Sequence, residues 1–251
     1  MKKKALITGA TGGIGSAIAR KCAEANYQLI LCGRNSEKLE LLKSELENQT
    51  AVYTALFDVS SREEVARFVN SLPNEFSQID LLVNNAGNAH GLDLSQDAAL
   101  SDWELMIDTN IKGVMFLTKA ILPKMLEVGS GHIINIGSTA AKEVYPRGNM
   151  YCATKSAVDT LTNGLRIDLN GTGIRVSAIH PAMVQTDFSK VRFKGDEARA
   201  AKVYEGFQPL KPEDIANIVH FISAMPPHVN ISDLVVYPTD QASATLVNRK
   251  L

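Results

Sequence analysis

Short, nearly all-apolar segments alternate with longer amphipathic ones, which predicts an α/β fold: a doubly wound parallel sheet with helices on both faces. A glycine-rich turn, TGATGGIG at 8–15, joins the first apolar segment to the first amphipathic one, as a nucleotide-binding sheet of this kind does. No linker, repeat or low-complexity run divides the 251 residues, so a single domain is expected over 1–251.

The elements follow in order. KALIT at 4–8 reads as the first strand. GSAIARKCAEAN at 15–26 reads as a helix, because Ile18, Cys22 and Ala25 fall on one stripe. QLILCG at 28–33 is a second strand, and SEKLELLKSELEN at 36–48 a helix with Ser36 as its N-cap. AVYTALFDV at 51–59 is a strand, REEVARFVNSL at 62–72 a helix, and IDLLVNNAG at 79–87 a strand running into a loop. Residues 102–129 read as one long helix that Pro123 bends or divides. Strands at 131–138, 174–182 and 233–239 and helices at 151–170 and 211–224 complete a Rossmann-type alternation. The stretch 186–212 breaks it: polar, basic in its first half, and directly after a strand. Ligands of open α/β sheets bind outside the carboxyl ends of the strands, so 186–212 is a candidate substrate lid; a mobile surface connection is the plain alternative.

Composition narrows the partners. Hydrophobic residues make up 45% and charged residues 21%, which allows a sizeable core. A net charge of −1 gives no electrostatic pull toward nucleic acid or an anionic membrane surface. No apolar run approaches the ~18 residues of a membrane span. MKKKALITGA is basic, then apolar, but glycine interrupts the apolar run too soon for a signal peptide. Cys22, Cys32 and Cys152 are scattered and odd in number, the usage of reduced thiols in a cytoplasmic protein. His90, His132, His220 and His228 show no ligand spacing, so no metal is assigned.

The glycine turn carries the first chemical expectation. Gly9, Gly13 and Gly15 let a ligand approach the backbone, and the helix start beyond them offers free N–H groups to a pyrophosphate. NAD sites place a carboxylate at the end of the second strand. Here that place reads Cys32, Gly33, Arg34, Asn35: the acid is missing and a guanidinium is present, which suits the 2′-phosphate of NADP. Asp58 suits either a hydrogen bond to the adenine amino group or the start of the third helix. NNAG at 84–87 either packs beside the adenosine ribose or ties neighbouring strands together.

YCATK at 151–155 places a phenol and an ammonium one helical turn apart. Carbonyl reduction needs a proton for the developing alkoxide, and the reverse needs a base. A free phenol titrates near 10, and a neighbouring cation favours the phenolate; a shift of about 3 units corresponds to roughly 4 kcal/mol.

Taken together, TGATGGIG, NNAG, Asn110 in TNIKG, Ser138 in NIGS and YCATK resemble the short-chain dehydrogenase/reductase family in order and spacing, with Ser138 13 residues before Tyr151. The resemblance implies Tyr151 as general acid/base, Lys155 lowering its pKa and holding the nicotinamide ribose, Ser138 holding the substrate oxygen, and Asn110 steadying a proton relay. A turn role for Ser138 and a local helix bend at Asn110 are the plainer alternatives. The resemblance also implies NADP contacts from Gly9, Thr11, Gly13, Ile14, Gly15, Arg34, Asn35, Asp58, Val59, Asn85, Ala86, Gly87, Tyr151 and Lys155. HPAMVQT at 180–186 is similar to the segment over the nicotinamide, with Pro181, Val184 and Thr186 in matching places. His180 has no carboxylate partner in view and reads as a packed or cofactor-flanking residue.

DWELMIDTNIKG, FSKVRFKGD and PPHVNISDLVVYPTDQA resemble the NADP-dependent 3-hydroxy acid dehydrogenase subgroup, which acts on serine, allo-threonine and related 3-hydroxy acids. Their carboxylate needs a cation. Arg192 is the first choice for this clamp and Arg147 the second, against the alternative of solvated charges. Other expectations compete: a broad carbonyl or 3-oxoacyl reductase of the same fold, and a non-catalytic NADPH-sensing regulator. The family further implies a homotetramer built through helices 102–129 and 151–170, with a tail, 240–251, that crosses to a neighbouring subunit.

Overall fold

The computed structural model describes residues 2–250. Seven parallel strands lie in the order β3-β2-β1-β4-β5-β6-β7. They are β1 (Lys4–Thr8), β2 (Gln28–Gly33), β3 (Val52–Leu56), β4 (Leu81–Asn84), β5 (Gly131–Ile136), β6 (Ile174–Pro181) and β7 (Asp233–Val236). The helices are α1 (Gly13–Glu24), α2 (Ser36–Leu46), α3 (Arg62–Ser71), α4 (Leu100–Ile107), α5 (Gly113–Val128), α6 (Asn149–Asp168), α7 (Phe188–Arg192), α8 (Glu197–Lys202) and α9 (Pro212–Ser223).

Pleating divides the core. Ala5 and Ile7 of β1 face one layer with Ile18 of α1 and Ile215 of α9. Leu6 faces the other, with Phe68 of α3 and Leu117 and Ile121 of α5. Central strands such as β1 are buried along their whole length, so Ala5, Leu6 and Ile7 run apolar on both faces and the sequence there carries no alternation.

Several boundaries differ from the sequence expectations. β3 ends at Leu56, so Asp58 lies on the loop beyond it rather than in the strand. Asn35, not Ser36, caps α2, its side chain accepting the Lys38 N–H at 2.8 Å. The long helix is not divided at Pro123, which lies inside α5; its irregularity is a π-turn over Asp108–Lys112. The extra residue per turn there leaves backbone and side chains free for other partners, as π-turns at functional sites do. The tail folds back on the same chain: the Lys250 N–H donates to Gly206 O at 2.6 Å, and the Arg249 guanidinium lies 5.1 Å from the Phe207 ring centroid. No helix among the described residues is long and apolar enough to cross a membrane.

Candidate active site

Strand order reverses between β1 and β4, and the crevice at their carboxyl ends collects the predicted residues. Gly9 turns the chain at φ +61°, and a Cβ on Gly15 would collide with the Gly9 carbonyl. A Cβ on Gly13 would lie 2.7 Å from Thr186 Cγ2, so Thr186 closes over the glycine turn. The first turn of α1 has neither a side-chain cap nor an acidic residue, which leaves its orphan N–H groups available to an anion. Thr11 lies against Gly33, and Ile14 packs on the core edge.

Asn85 resolves one of the open readings of NNAG. Its Nδ2 donates to Thr8 O at 2.9 Å and to Gly9 O at 3.2 Å, tying β4 to the glycine turn. The Asn85 and Ala86 N–H groups both donate to Thr8 Oγ1 at 3.0 Å. A Cβ on Gly87 would come within 3.3 Å of both Asn110 Oδ1 and Lys155 Nζ, so these three residues border one spot.

Arg34 and Asp58 meet each other, with Arg34 Nη1 3.2 Å from Asp58 Oδ2. Burial would raise the Asp58 pKa, but hydrogen bonds from Ser60 and the Arg34 charge hold it below its ordinary value. Ser61 supplies the cap of α3, so Asp58 does not. Asn35 is committed to its cap, and Val59 is buried against Gly113.

Tyr151 and Lys155 rise from α6. Lys155 is buried and donates from Nζ to Ile136 O at 3.0 Å; burial lowers its pKa from 10.5 to about 8. Its Nζ is 5.9 Å from the Tyr151 ring centroid, whereas the Arg192 guanidinium carbon is 4.8 Å away. Burial pushes the Tyr151 pKa from 10.0 to about 12, with Tyr145 adding to the rise and Arg192 and a Ser138 hydrogen bond opposing it. Desolvation dominates here, Lys155 is not among the groups that shift the phenol, and the cation over the ring is Arg192. Ser138 follows β5, and its Oγ accepts the Ala140 N–H at 3.1 Å, so it is a turn residue and a Tyr151 partner at once. Asn110, in the π-turn, accepts from Asn88 N–H at 2.8 Å and donates to Asn88 O at 2.9 Å and Thr154 Oγ1 at 3.0 Å.

Residues 186–212 hold the two short helices α7 and α8. Lys190 and Lys194 turn to carboxylates, Lys190 to Glu197 at 3.2 Å and Lys194 to Asp102 at 2.9 Å. Arg192 alone of the three cations turns inward, donating from Nη2 to Tyr145 Oη at 2.8 Å; its buried Nε has no partner. Arg147, at φ +66°, lines the same cleft with His90, Trp103, Met106, Tyr151 and Arg192. The cleft is drawn in to about 10 Å³, close to the room one water needs. Pro181 ends β6, and Val184 bridges to Leu210, which brings the two ends of the 186–212 stretch together.

Sequence reasoning missed Tyr145 and Asn88, which share no period or motif with the residues they hold. His180 is packed, as expected, with no exposed surface, but it does have carboxylate neighbours that the sequence did not show. His180 Nε2 lies 3.1 Å from Asp233 Oδ1 and 3.4 Å from Asp159 Oδ1, partners that only the fold brings near. These three offer ligand atoms within 4.8 Å of one another, but the Lys142 ammonium bridges both carboxylates, at 2.8 Å and 2.6 Å.

Comparison with known proteins agrees with this geometry. Residues 3–197 match the short chain dehydrogenase family. The chain is 46% identical over 242 residues to the NADP-dependent 3-hydroxy acid dehydrogenase YdfG of Escherichia coli O6:H1, covering 96% of this chain and 97% of that protein. It is 44% identical over 246 residues to sulfoacetaldehyde reductase 2 of Chromohalobacter salexigens, covering 97% and 98%. The closed form of serine dehydrogenase complexed with NADP+ superposes with a TM-score of 0.93 at 45% identity, over 98% of this chain and 99% of that one. The glycine turn at the switch point, the Ser138–Tyr151–Lys155 set and these matches over nearly the whole length lead to one statement: the chain belongs to the short-chain dehydrogenase family.

Proposed function

We propose that this protein is an NADP-dependent oxidoreductase that interconverts the 3-hydroxyl and 3-oxo groups of a small anionic substrate of the 3-hydroxy acid type, with Tyr151 as general acid/base. The observation that carries the reading is the stack of Arg192 on the Tyr151 ring: an anion-binding group stands beside the candidate proton donor. Serine dehydrogenase and 3-hydroxy acid dehydrogenase relatives act on substrates with that pairing of groups.

The residues present fit the cofactor. A Cβ-free cradle at Gly9 and Gly15, uncapped N–H groups at the start of α1 and the exposed Arg34 guanidinium suit a dinucleotide with a 2′-phosphate. Asn85 holds the cradle's shape, and Lys155 would hold a ribose hydroxyl. Held by these residues, the reduced dinucleotide would supply the hydride for reduction, and its oxidised form would accept one in the reverse direction.

The side chains do the rest. Ser138 Oγ and the Tyr151 hydroxyl donate hydrogen bonds to the substrate oxygen, polarising it for reduction. With its pKa raised to about 12, Tyr151 arrives protonated and passes that proton to the alkoxide. Arg192 and Lys155 hold the phenolate charge. Lys155, at about 8, then returns a proton near neutral pH and is recharged past Asn110. Oxidation runs the same path backwards. Arg192 clamps the substrate anion by exchanging Tyr145 for it, and Arg147 guards the cleft mouth.

The 44% identity to a sulfoacetaldehyde reductase favours a second substrate class, a sulfonate, which the same guanidinium would hold. Exposed Leu105, Met115, Leu126 and Ile167 on α4, α5 and α6 support assembly into a homotetramer, which sedimentation equilibrium tests. Initial rates decide the catalytic reading: NADP with L-serine, L-allo-threonine or 3-hydroxypropionate, and NADPH with sulfoacetaldehyde or an uncharged aldehyde. Turnover of an anionic substrate that falls roughly 10²–10⁴-fold in Tyr151→Phe supports it. Turnover of uncharged aldehyde alone leaves a broad carbonyl reductase, and NADPH binding without turnover leaves a regulator.

A further inference from the structure

His180 lies at the end of β6 with no exposed surface. Its Nδ1 is 3.1 Å from the carbonyl oxygen of Ser138, and a Cβ on Gly137 would come 2.5 Å from the same nitrogen. The ring is therefore packed tightly against the turn that presents Ser138. On its other edge, Nε2 is buried without an aligned hydrogen bond, beside Asp233 Oδ1 and Asp159 Oδ1. Lys142 holds the remaining oxygen of each carboxylate.

The positions of these partners matter. Lys142 stands four residues after Ser138. Asp159 stands on α6 four residues after Lys155 and eight after Tyr151, along one stripe of the helix. Asp233 begins β7. One polar node thus joins the Ser138 turn, the helix of Tyr151 and Lys155, and β7, the neighbour of the strand that ends at Pro181. Two carboxylates and one ammonium leave the node one positive charge short of neutral. A lone pair on Nε2 would face two anionic oxygens, so the single proton of a neutral ring is of no use to the node on Nδ1 alone, and the node draws a second proton to Nε2.

We propose that His180 is a positioning residue for Ser138: its Nδ1–H fixes the Ser138 peptide, and the Asp159–Lys142–Asp233 node anchors the ring and receives a second proton at Nε2 on acidification. This deepens the catalytic reading above and rests on Ser138 acting in it. Burial lowers the His180 pKa from its ordinary 6.5, with Asp233 opposing, Lys142 adding and Asp159 opposing, so the second proton binds on the acid side of neutrality. Once charged, the ring donates a stronger bond to Ser138.

Ring ¹⁵N resonances of the wild-type enzyme with NADPH, followed from pH 8 to 5, test the proton positions. Nδ1 is expected protonated throughout and Nε2 to gain its proton below 6.5; an unprotonated Nδ1 at neutral pH overturns the proposal. Two variants then test positioning. His180→Asn keeps a donor at the Nδ1 place and is expected to hold kcat, with any acid-side inflection due to His180 gone. His180→Gln keeps only the Nε2 place and is expected to lose roughly tenfold or more in kcat at unchanged NADPH affinity. Equal kcat in the two variants overturns the proposal. If neither folds, the ¹⁵N titration decides alone. Should Ser138→Ala keep full activity, the catalytic reading of Ser138 fails instead, while the ring titration stands or falls separately.

Discussion

The Arg192 guanidinium carbon lies 4.8 Å from the centroid of the Tyr151 ring while Nη2 donates to Tyr145 Oη at 2.8 Å. Under the proposed function this is the position Arg192 holds before an anion arrives. Tyr145 is a neutral acceptor, and a carboxylate or sulfonate is a better one for a guanidinium whose Nε has no partner. Arg192→Ala is expected to raise KM for anionic substrates by about 10–100-fold, the worth of one charged hydrogen bond of about 1.5–3 kcal/mol. KM for an uncharged aldehyde should stay put. Equal effects on both substrate types would remove Arg192 from anion binding. Tyr145→Phe frees Arg192 and is expected to lower the KM of the anion.

Arg34 and Asp58 were separate candidates for two ends of the adenosine, yet they form a pair at 3.2 Å. An exposed pair of this kind contributes only about 0–1 kcal/mol. A dinucleotide phosphate can therefore outcompete Asp58 for the guanidinium at little cost. Arg34→Ala is expected to weaken NADP about tenfold or more while leaving NAD unchanged, since one charged hydrogen bond is worth about 1.5–3 kcal/mol. Asp58→Asn removes the rival and should tighten NADP by up to about fivefold. Calorimetric titration of both dinucleotides into each variant reads the result, and looser NADP binding in Asp58→Asn would show that Asp58 serves the cofactor directly.

These pairs mark how far the sequence could be read. Apolar strands between amphipathic helices specified the parallel sheet, and the glycine turn with YCATK located the crevice, because both signals are local in the chain. Partnerships across the fold were not local. Asp233 is 53 residues from His180 and Tyr145 is 47 residues from Arg192, and no spacing rule links either pair. Asn110 was legible as a residue inside an apolar helix and as a site of a local bend, but not as part of a π-turn that frees its side chain for Asn88 and Thr154, and the break expected at Pro123 is absent. A proline near the middle of a helix looks like the stronger punctuation, yet here the helix runs through it.

Two glycines separate strain from freedom. A Cβ on Gly15 meets the backbone at Gly9, which cannot swing aside. Gly15→Ala is expected to cost about 1–3 kcal/mol as overpacking and to abolish tight NADP binding. Gly164, inside α6, has nothing within 4 Å of an added Cβ. Gly164→Ala should therefore stabilise the protein by about 0.5–1 kcal/mol through helix propensity alone. Thermal melts of the two variants are expected to shift in opposite directions; a destabilised Gly164→Ala would mean that its helix face is covered in the assembled protein.

Acid stability should depend on His132. It is 2% exposed, its Nε2 pairs with Ser177 Oγ at 2.8 Å, and its Nδ1 has no partner. Burial, with Arg175 adding, drops its pKa from 6.5 to about 3. The unfolded chain protonates this ring near 6.5, but the folded chain resists until about 3. The folded state thus binds fewer protons in that window, and stability falls as pH drops through it. Full stability is present above 6.5, and the loss approaches roughly 5 kcal/mol at the bottom of the window by linkage. That is a large part of a typical total of about 5–15 kcal/mol. His132→Gln keeps a donor for Ser177 and cannot titrate. Urea unfolding at pH 7 and pH 4.5 is expected to show a smaller drop for this variant than for the wild type, and equal drops would place the acid sensitivity on other groups.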